Sequence, residues 1–142
     1  MTHAATLRPR STTTKTMGYL AAGMATALAT AHLTIYTIGY LNTPDTPISA
    51  YLLGGVAIAA MALVFAGAAL KLTRTSGPQR WRRTLLTLCW TAALLLAFQT
   101  LMIALQTPGL LIQPAGPGPW SLVGGPAFAV FAWRSRRRRP RT

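Results

Sequence analysis

Acidic side chains are almost absent from this sequence. Among its 142 residues, Asp45 is the one carboxylate, against 14 lysines and arginines. A single carboxylate cannot supply a paired general acid and base, a metal site built on two acidic residues, or a membrane-buried glutamate for proton-coupled export. We therefore expect the protein not to be an enzyme.

Cysteine and histidine are also scarce. Cys89 is the single cysteine, which excludes a disulfide framework and a CxxC redox pair. The two histidines, His3 and His32, are far apart in the chain, and the sequence has no Gly-rich phosphate loop and no Ser-His-Asp set. We therefore expect no metal site, no cofactor and no catalytic residue, and we predict that Cys89 is a small apolar packing residue.

What the sequence does have is long apolar runs without charge. Apolar residues make up 51% of the chain and charged residues 11%, a composition of the membrane class once the apolar residues are clustered. Three of the runs are long enough for a helix to cross a hydrocarbon core of about 30 Å, and a fourth is shorter. The sequence thus predicts an all-α integral membrane protein with four transmembrane helices, at residues 17–41, 50–70, 85–105 and 119–133.

Two of these spans leave alternatives open. The fourth corresponds to about 20 Å of helix, so a re-entrant or surface helix is the alternative to a full crossing. The first follows a basic segment, and its triplet Ala29, Thr30, Ala31 fits a signal-peptide cleavage site. Because the apolar run continues to Leu41 without a polar break, we predict that the first helix is retained.

The basic residues predict the orientation. They occur in residues 1–16, 71–83 and 134–142 and nowhere else, so the two loops on the opposite side carry none. Under the positive-inside rule both termini are cytoplasmic, with residues 1–16 as a basic tail and 134–142 as an arginine-rich tail. Arginine outnumbers lysine twelve to two in a chain rich in Ala, Thr, Gly and Pro, which indicates a GC-rich bacterial genome and hence a bacterial inner membrane.

Small residues form a stripe on each of the first two helices. Such stripes allow close packing of helices in membranes. We predict that they pack against each other or against partner spans, so that the protein forms a homo- or hetero-oligomer with membrane proteins. The stripe residues are Gly18, Ala22, Ala25, Ala29, His32 and Tyr36 in the first helix, and Gly55, Ala59, Ala62, Ala66 and Ala69 in the second.

His32 has two interpretations. An ionisable group inside a membrane is a candidate proton relay, metal ligand or haem ligand. The structural interpretation has it hydrogen-bonded to a backbone carbonyl or to a polar side chain on another helix, for which Gln99 in the third span is the candidate. Because the spans offer no second histidine, cysteine cluster or carboxylate to complete a metal site, we favour the structural interpretation.

Six arginines follow the last span. Each is attracted to anionic lipid headgroups by about 1 kcal/mol near the surface. We interpret them as topology anchors in contact with membrane lipids, including anionic headgroups, and nonspecific binding of nucleic acid is the alternative. They are Arg134, Arg136, Arg137, Arg138, Arg139 and Arg141.

Taken together, these features predict a small non-enzymatic multi-pass membrane protein that acts in assembly or interaction with other membrane components. Two alternatives remain open. A holin-like pore former fits the size and the basic C-terminal segment. A membrane component of plasmid or DNA transfer would use the basic tail, and in composition alone the chain resembles the small hydrophobic spread proteins of conjugative plasmids in filamentous actinobacteria.

Overall fold

Four long helices make up most of the computed structural model, which describes residues 12–43, 45–74, 79–113 and 116–136. Within α2, Tyr51–Ala57 is π-helical, and a 3-10 turn at Pro108–Leu111 follows α3. The described chain is therefore all-helical, as the sequence predicts. The helices are α1 (Thr12–Asn42), α2 (Ile48–Arg74), α3 (Gln79–Gln106) and α4 (Gly118–Arg136).

Three of these helices are long and apolar enough to cross a membrane, namely α1, α2 and α3 from Trp81 onward. They correspond to the first three predicted spans. The fourth helix, α4, has 19 residues, or about 28 Å of helix, and is less apolar because prolines, glycines and serines interrupt its apolar residues.

All four helices are longer than the apolar runs that predicted them. The predicted spans end where the uncharged apolar runs end, whereas a helix continues into a polar layer for as long as its backbone hydrogen bonds are made. Residues 12–16 of the predicted N-terminal tail are thus the first turns of α1, and Arg134 and Arg136 belong to the last turn of α4. The rest of the two predicted tails, 1–11 and 137–142, lies outside the described residues.

The helices form an antiparallel ring. The first helix, α1, packs against α2 and α4, and α3 packs against the same two neighbours, so α1 and α3 lie across the bundle from each other. Three helices meet at Gly18, where a Cβ would collide with Thr73 Oγ1 of α2 and lie 2.7 Å from Cε2 of Phe131 of α4. The missing side chain of Gly18 therefore permits the close approach of α1, α2 and α4.

Small side chains fill the interior and large apolar ones cover the outside. Of the twenty buried apolar side chains among the described residues, thirteen are alanines. Long apolar side chains point outward instead, as in Leu53, Leu94 and Phe98, which are 71%, 68% and 62% exposed. This arrangement is the reverse of that in a water-soluble protein, and it is expected where lipid is the solvent.

Candidate functional site

A histidine side chain joins α1 to the π-helical stretch of α2. His32 Nε2 lies 2.7 Å from the carbonyl oxygen of Gly54. Because a carbonyl accepts, the imidazole donates its Nε2–H, and Gly54 can accept it through its second lone pair. His32 is thus bound to a backbone carbonyl, and Gln99 is not its partner, since Gln99 is on α3, across the bundle from α1.

Tyr36 lies one turn after His32 and packs against two adjacent glycines of the same stretch. A Cβ on Gly54 would lie 2.7 Å from Tyr36 Cε1, and a Cβ on Gly55 would lie 2.8 Å from Tyr36 Cβ. The ring of Tyr36 also contacts the ring of His32, with centroids 4.7 Å apart and planes tilted by 33°. The two glycines therefore give Tyr36 the room to pack against both α2 and the imidazole.

A second hydrogen bond between the helices lies closer to the connecting loop. Thr37 donates its hydroxyl to the Leu33 carbonyl at 2.7 Å, and its oxygen is 3.2 Å from the hydroxyl of Tyr51. Because the proton of Thr37 is already used, Tyr51 is the donor between the two hydroxyls. The ring of Tyr51 also stacks on Tyr40, with centroids 5.1 Å apart.

These contacts form one group, the hairpin cluster, at a place where the core has ended. Among the residues that the structure describes between Thr30 and Gly54, none is buried. Hydrogen bonds between helices in a membrane contribute about 0.6 kcal/mol on average, so several together are needed to fix this pair of helices. The hairpin cluster consists of His32, Tyr36, Thr37, Tyr40, Tyr51, Gly54 and Gly55.

The described basic residues lie at the opposite end of the bundle, the basic end. Arg82 donates to the carbonyl of Ser135 in the last turn of α4, where unpaired carbonyls and the helix dipole favour a cation. Lys71 Nζ is 5.2 Å from the ring centroid of Trp81. The basic side chains at this end are Lys15, Lys71, Arg74, Arg82, Arg83, Arg134 and Arg136.

The predicted tail arginines divide between described and undescribed residues. Arg134 and Arg136 are exposed in the last turn of α4. The other four lie outside the described residues: Arg137, Arg138, Arg139 and Arg141.

The two small-residue stripes face each other within the chain. Ala29 of α1 forms a buried cluster with Ala59 and Ala62 of α2. Towards the end of the first stripe, His32 is half-buried and Tyr36 is exposed. The stripes are thus used in folding one chain, and a partner protein would have to contact another surface. The other stripe residues are also buried: Gly18, Ala22, Ala25, Gly55, Ala66 and Ala69.

An open groove, the α1 groove, runs along the outer face of α1. Gly23, Thr26 and Thr30 line it, and Leu70 of α2 and Trp120 of α4 complete it. The hydroxyls of Thr26 and Thr30 donate to carbonyls one turn earlier in α1, at 2.9 and 3.0 Å. Since no atom lies within 4 Å of a Cβ placed on Gly23, the groove has room for side chains from outside the chain.

The side chains that could bind a metal ion lie apart from one another in the described part of the chain. It contains no cluster of three or more His, Cys, Asp or Glu side chains that could hold a metal ion. Cys89 is a free thiol buried in the core, beside Ala92 and Ala93. Asp45 is exposed in the loop between α1 and α2.

Comparison of the chain with protein-family models, with curated proteins and with solved structures gave no match. The sequence interpretation missed Gly54 and Tyr51. A signal was present in the adjacent pair Gly54 and Gly55, since a glycine inside a helix costs about 1 kcal/mol relative to alanine and so points to a close approach.

Proposed function

We propose that this protein is a small non-enzymatic multi-pass membrane protein that works through assembly with other membrane components. The observation that carries the proposal is the reversed packing of the bundle, with alanine and glycine inside and long apolar side chains outside. Three helices of spanning length carry this apolar surface. Such a large apolar exterior needs lipid or protein partners to cover it.

The proposal includes a fourth span and a cytoplasmic basic end in a bacterial inner membrane. Support for the fourth span comes from the length of α4, about 28 Å, and from its packing between α1 and α3. Support for the orientation comes from the placement of all described cations at one end of the bundle and of Asp45 at the other. The positive-inside rule then assigns the basic end to the cytoplasm.

Cysteine labelling of intact cells tests this topology. Asp45→Cys should react with a membrane-impermeant maleimide added outside, whereas Arg74→Cys and Arg136→Cys should react only after lysis. The native Cys89 is buried, which keeps the background low. Reaction of Arg136→Cys but not Arg74→Cys in intact cells would mean that α4 does not cross, and the opposite pattern at all three sites would invert the orientation.

The α1 groove is the surface to which we assign partner contact. Its small side chains allow the backbone of another helix to approach closely, and its threonine hydroxyls are already bonded within α1. No atom of the chain lies within 4 Å of a Cβ added at Gly23, so packing inside the chain does not require a glycine here. Glycine is nevertheless unfavourable in the middle of a helix. A transmembrane helix, from a second copy or from another protein, is the partner that fits this groove.

Filling the groove tests the assignment. Gly23→Leu should dissociate the assembly, measured by the mass of the gently solubilised complex and by cross-linking in membranes. Gly67→Leu is the matched control, because Gly67 of α2 also has no atom within 4 Å of an added Cβ and does not line the groove. If the two variants dissociated to the same extent, the assignment of the groove as the contact surface would be wrong. If the wild-type protein were a monomer without a co-purifying partner, the proposal of assembly would be wrong.

A second candidate function is a membrane component of DNA transfer. The observation in its favour is the basic end, to which α1, α2, α3 and α4 all contribute cations. Phosphate neutralisation predicts binding that weakens steeply with salt. Anionic lipid headgroups are the competing partner for the same surface, at about 1 kcal/mol for each cation.

Two results together would support the second candidate. The protein in neutral nanodiscs should bind DNA with an affinity that falls as the salt concentration rises, and deletion of the gene should abolish DNA transfer. Binding of anionic vesicles without binding of DNA would instead favour the lipid partner. A holin-like pore former predicts a collapse of the membrane potential on induced expression, which neither assembly nor DNA transfer does.

A further inference from the structure

The π-helical stretch is the least regular backbone in the described helices. Such geometry is rare and mostly limited to a single turn, often at functional sites. Here it extends over the seven residues Tyr51–Ala57 and interrupts a helix that is α-helical on both sides. Because an α-helix is the more stable form, contacts from outside must hold this stretch in place.

Those contacts come from one face of α1. His32 donates to the carbonyl of Gly54, and Tyr51 donates to Thr37 one to two turns further along α1. The ring of Tyr36 packs where side chains at Gly54 and Gly55 would be. All these contacts depend on the angle at which the stretch presents Tyr51, Gly54 and Gly55, so a change of helical register would break them together.

The hairpin end of α2 has the freedom to change register. The described residues between Thr30 and Gly54 are exposed or half-buried. By contrast, α2 is packed against α1 from Ala59 onward, at Ala59, Ala62 and Ala66. Regions with few buried contacts open at a lower free energy than a packed core. A rotation confined to the hairpin end would therefore leave the rest of the bundle in place.

We propose that Tyr51–Ala57 converts between π-helix and α-helix, and that His32 is the positioning residue that holds it π-helical. When the imidazole leaves the Gly54 carbonyl, the stretch loses about one residue per turn, and Ile48 and Leu52 rotate by roughly 100° relative to Ile58–Arg74. The device would change the surface that the hairpin end offers to lipid or a partner. It depends neither on the α1 groove nor on the orientation proposed above.

Spin labels in the full chain, reconstituted in nanodiscs in a Cys89→Ala background, test the conversion. The labels replace Leu41 and Leu52, which are 74% and 47% exposed. With a helix radius of about 5 Å, a rotation of roughly 100° moves a side chain by about 8 Å. We expect one distance in the parent protein and a second, shifted distance in His32→Phe, which keeps a ring but has no N–H to donate.

Two controls separate conversion from unfolding. Labels at Leu20 and Leu63, on the outer surface of α1 and of the packed part of α2, should keep their distance in His32→Phe. His32→Gln retains an N–H donor and should keep the parent distance at Leu41 and Leu52. An unchanged distance in His32→Phe, equal shifts in both label pairs, or a His32→Gln protein that behaves like His32→Phe would each overturn the proposal.

Amide hydrogen exchange of the unsubstituted protein provides a second measurement if His32→Phe does not fold. Opening of the stretch predicts that the amides of Tyr51–Ala57 exchange at least about tenfold faster than those of residues 62–69, a segment whose inner face is packed in the core. Equal exchange rates in the two segments would contradict a convertible stretch.

Discussion

The basic end and the hairpin end of the bundle are held together in different ways. At the basic end, α1, α2 and α4 meet at Gly18, and the buried side chains of Leu72, Thr73 and Phe131 fill the space between them. At the hairpin end, α1 and α2 are joined by two hydrogen bonds, by the stacking of Tyr40 on Tyr51, and by the packing of Tyr36 on Gly54 and Gly55. The first end depends on how side chains fill the space between helices, whereas the second depends also on the direction of hydrogen bonds.

This difference follows from what lipid can and cannot do. Lipid tails are as apolar as leucine, so helices gain little by hiding apolar side chains from them and associate through close contact or hydrogen bonds. Close contact needs small residues in register, as at Gly18. Hydrogen bonds need only a few well-placed groups, as at His32. The basic end should therefore be sensitive to added atoms, and the hairpin end to lost donors as well as to atoms added at Gly54 and Gly55.

Gly18→Ala should produce the largest effect. The new methyl group would collide with Thr73 Oγ1 and lie 2.7 Å from the ring of Phe131. Neither neighbour can move easily, because Thr73 donates to the Ala69 carbonyl at 2.7 Å and Phe131 is fully buried. We expect the free energy of unfolding in detergent to fall by about 3 kcal/mol, with a lower Tm.

Gly23→Ala is the matched control in the same helix. No atom lies within 4 Å of its added Cβ, so this variant should be as stable as the parent or gain up to about 1 kcal/mol from helix propensity. If the two variants had the same Tm, the convergence of three helices at Gly18 would be absent from the protein in detergent.

Two adjacent glycines provide an intermediate effect at the hairpin end. Gly55→Ala brings a methyl group to 2.8 Å from Tyr36 Cβ, which is fixed to the backbone of α1, whereas Gly54→Ala meets the ring edge, which can turn. We expect a loss of about 2 kcal/mol for Gly55→Ala and about 1 kcal/mol for Gly54→Ala, measured by the same unfolding experiment. No loss from either substitution would show that Tyr36 does not lie against this pair.

Helix positions and packing faces could largely be predicted from the sequence. Apolar runs of more than twenty residues without charge predict membrane-spanning helices. Within the first of them, spacings of three and four put Ala22, Ala25 and Ala29 on one face. That face is buried in the structure. The helix ends differed, because hydropathy marks where lipid ends and not where backbone hydrogen bonds end.

The partner of His32 could not be predicted in the same way. Whether His32 binds the Gly54 carbonyl or the Gln99 side chain depends on which helices are neighbours. The spacing of residues within one helix does not indicate the order of the helices around a bundle. The π-helical stretch was equally hidden, because its residues suit an α-helix as well. Its register follows from contacts with Tyr36 and His32 on another helix.

The smallest effect we expect concerns the hydroxyl pair at the hairpin end. Thr37→Val and Tyr51→Phe each remove one side of the 3.2 Å hydrogen bond. A double-mutant cycle on the free energy of unfolding should give a coupling of about 0.6 kcal/mol between the two residues. Thr37→Ser is the control, because it keeps the hydroxyl. In the Thr37→Ser background, Tyr51→Phe should change the free energy of unfolding by as much as it does in the parent protein. Zero coupling would mean that the hydroxyl pair does not join the two helices. Among the described residues, the hydrogen bond of His32 to the Gly54 carbonyl would then be the one side-chain hydrogen bond between α1 and α2 at the hairpin end, and the distinction between the two ends would depend on it.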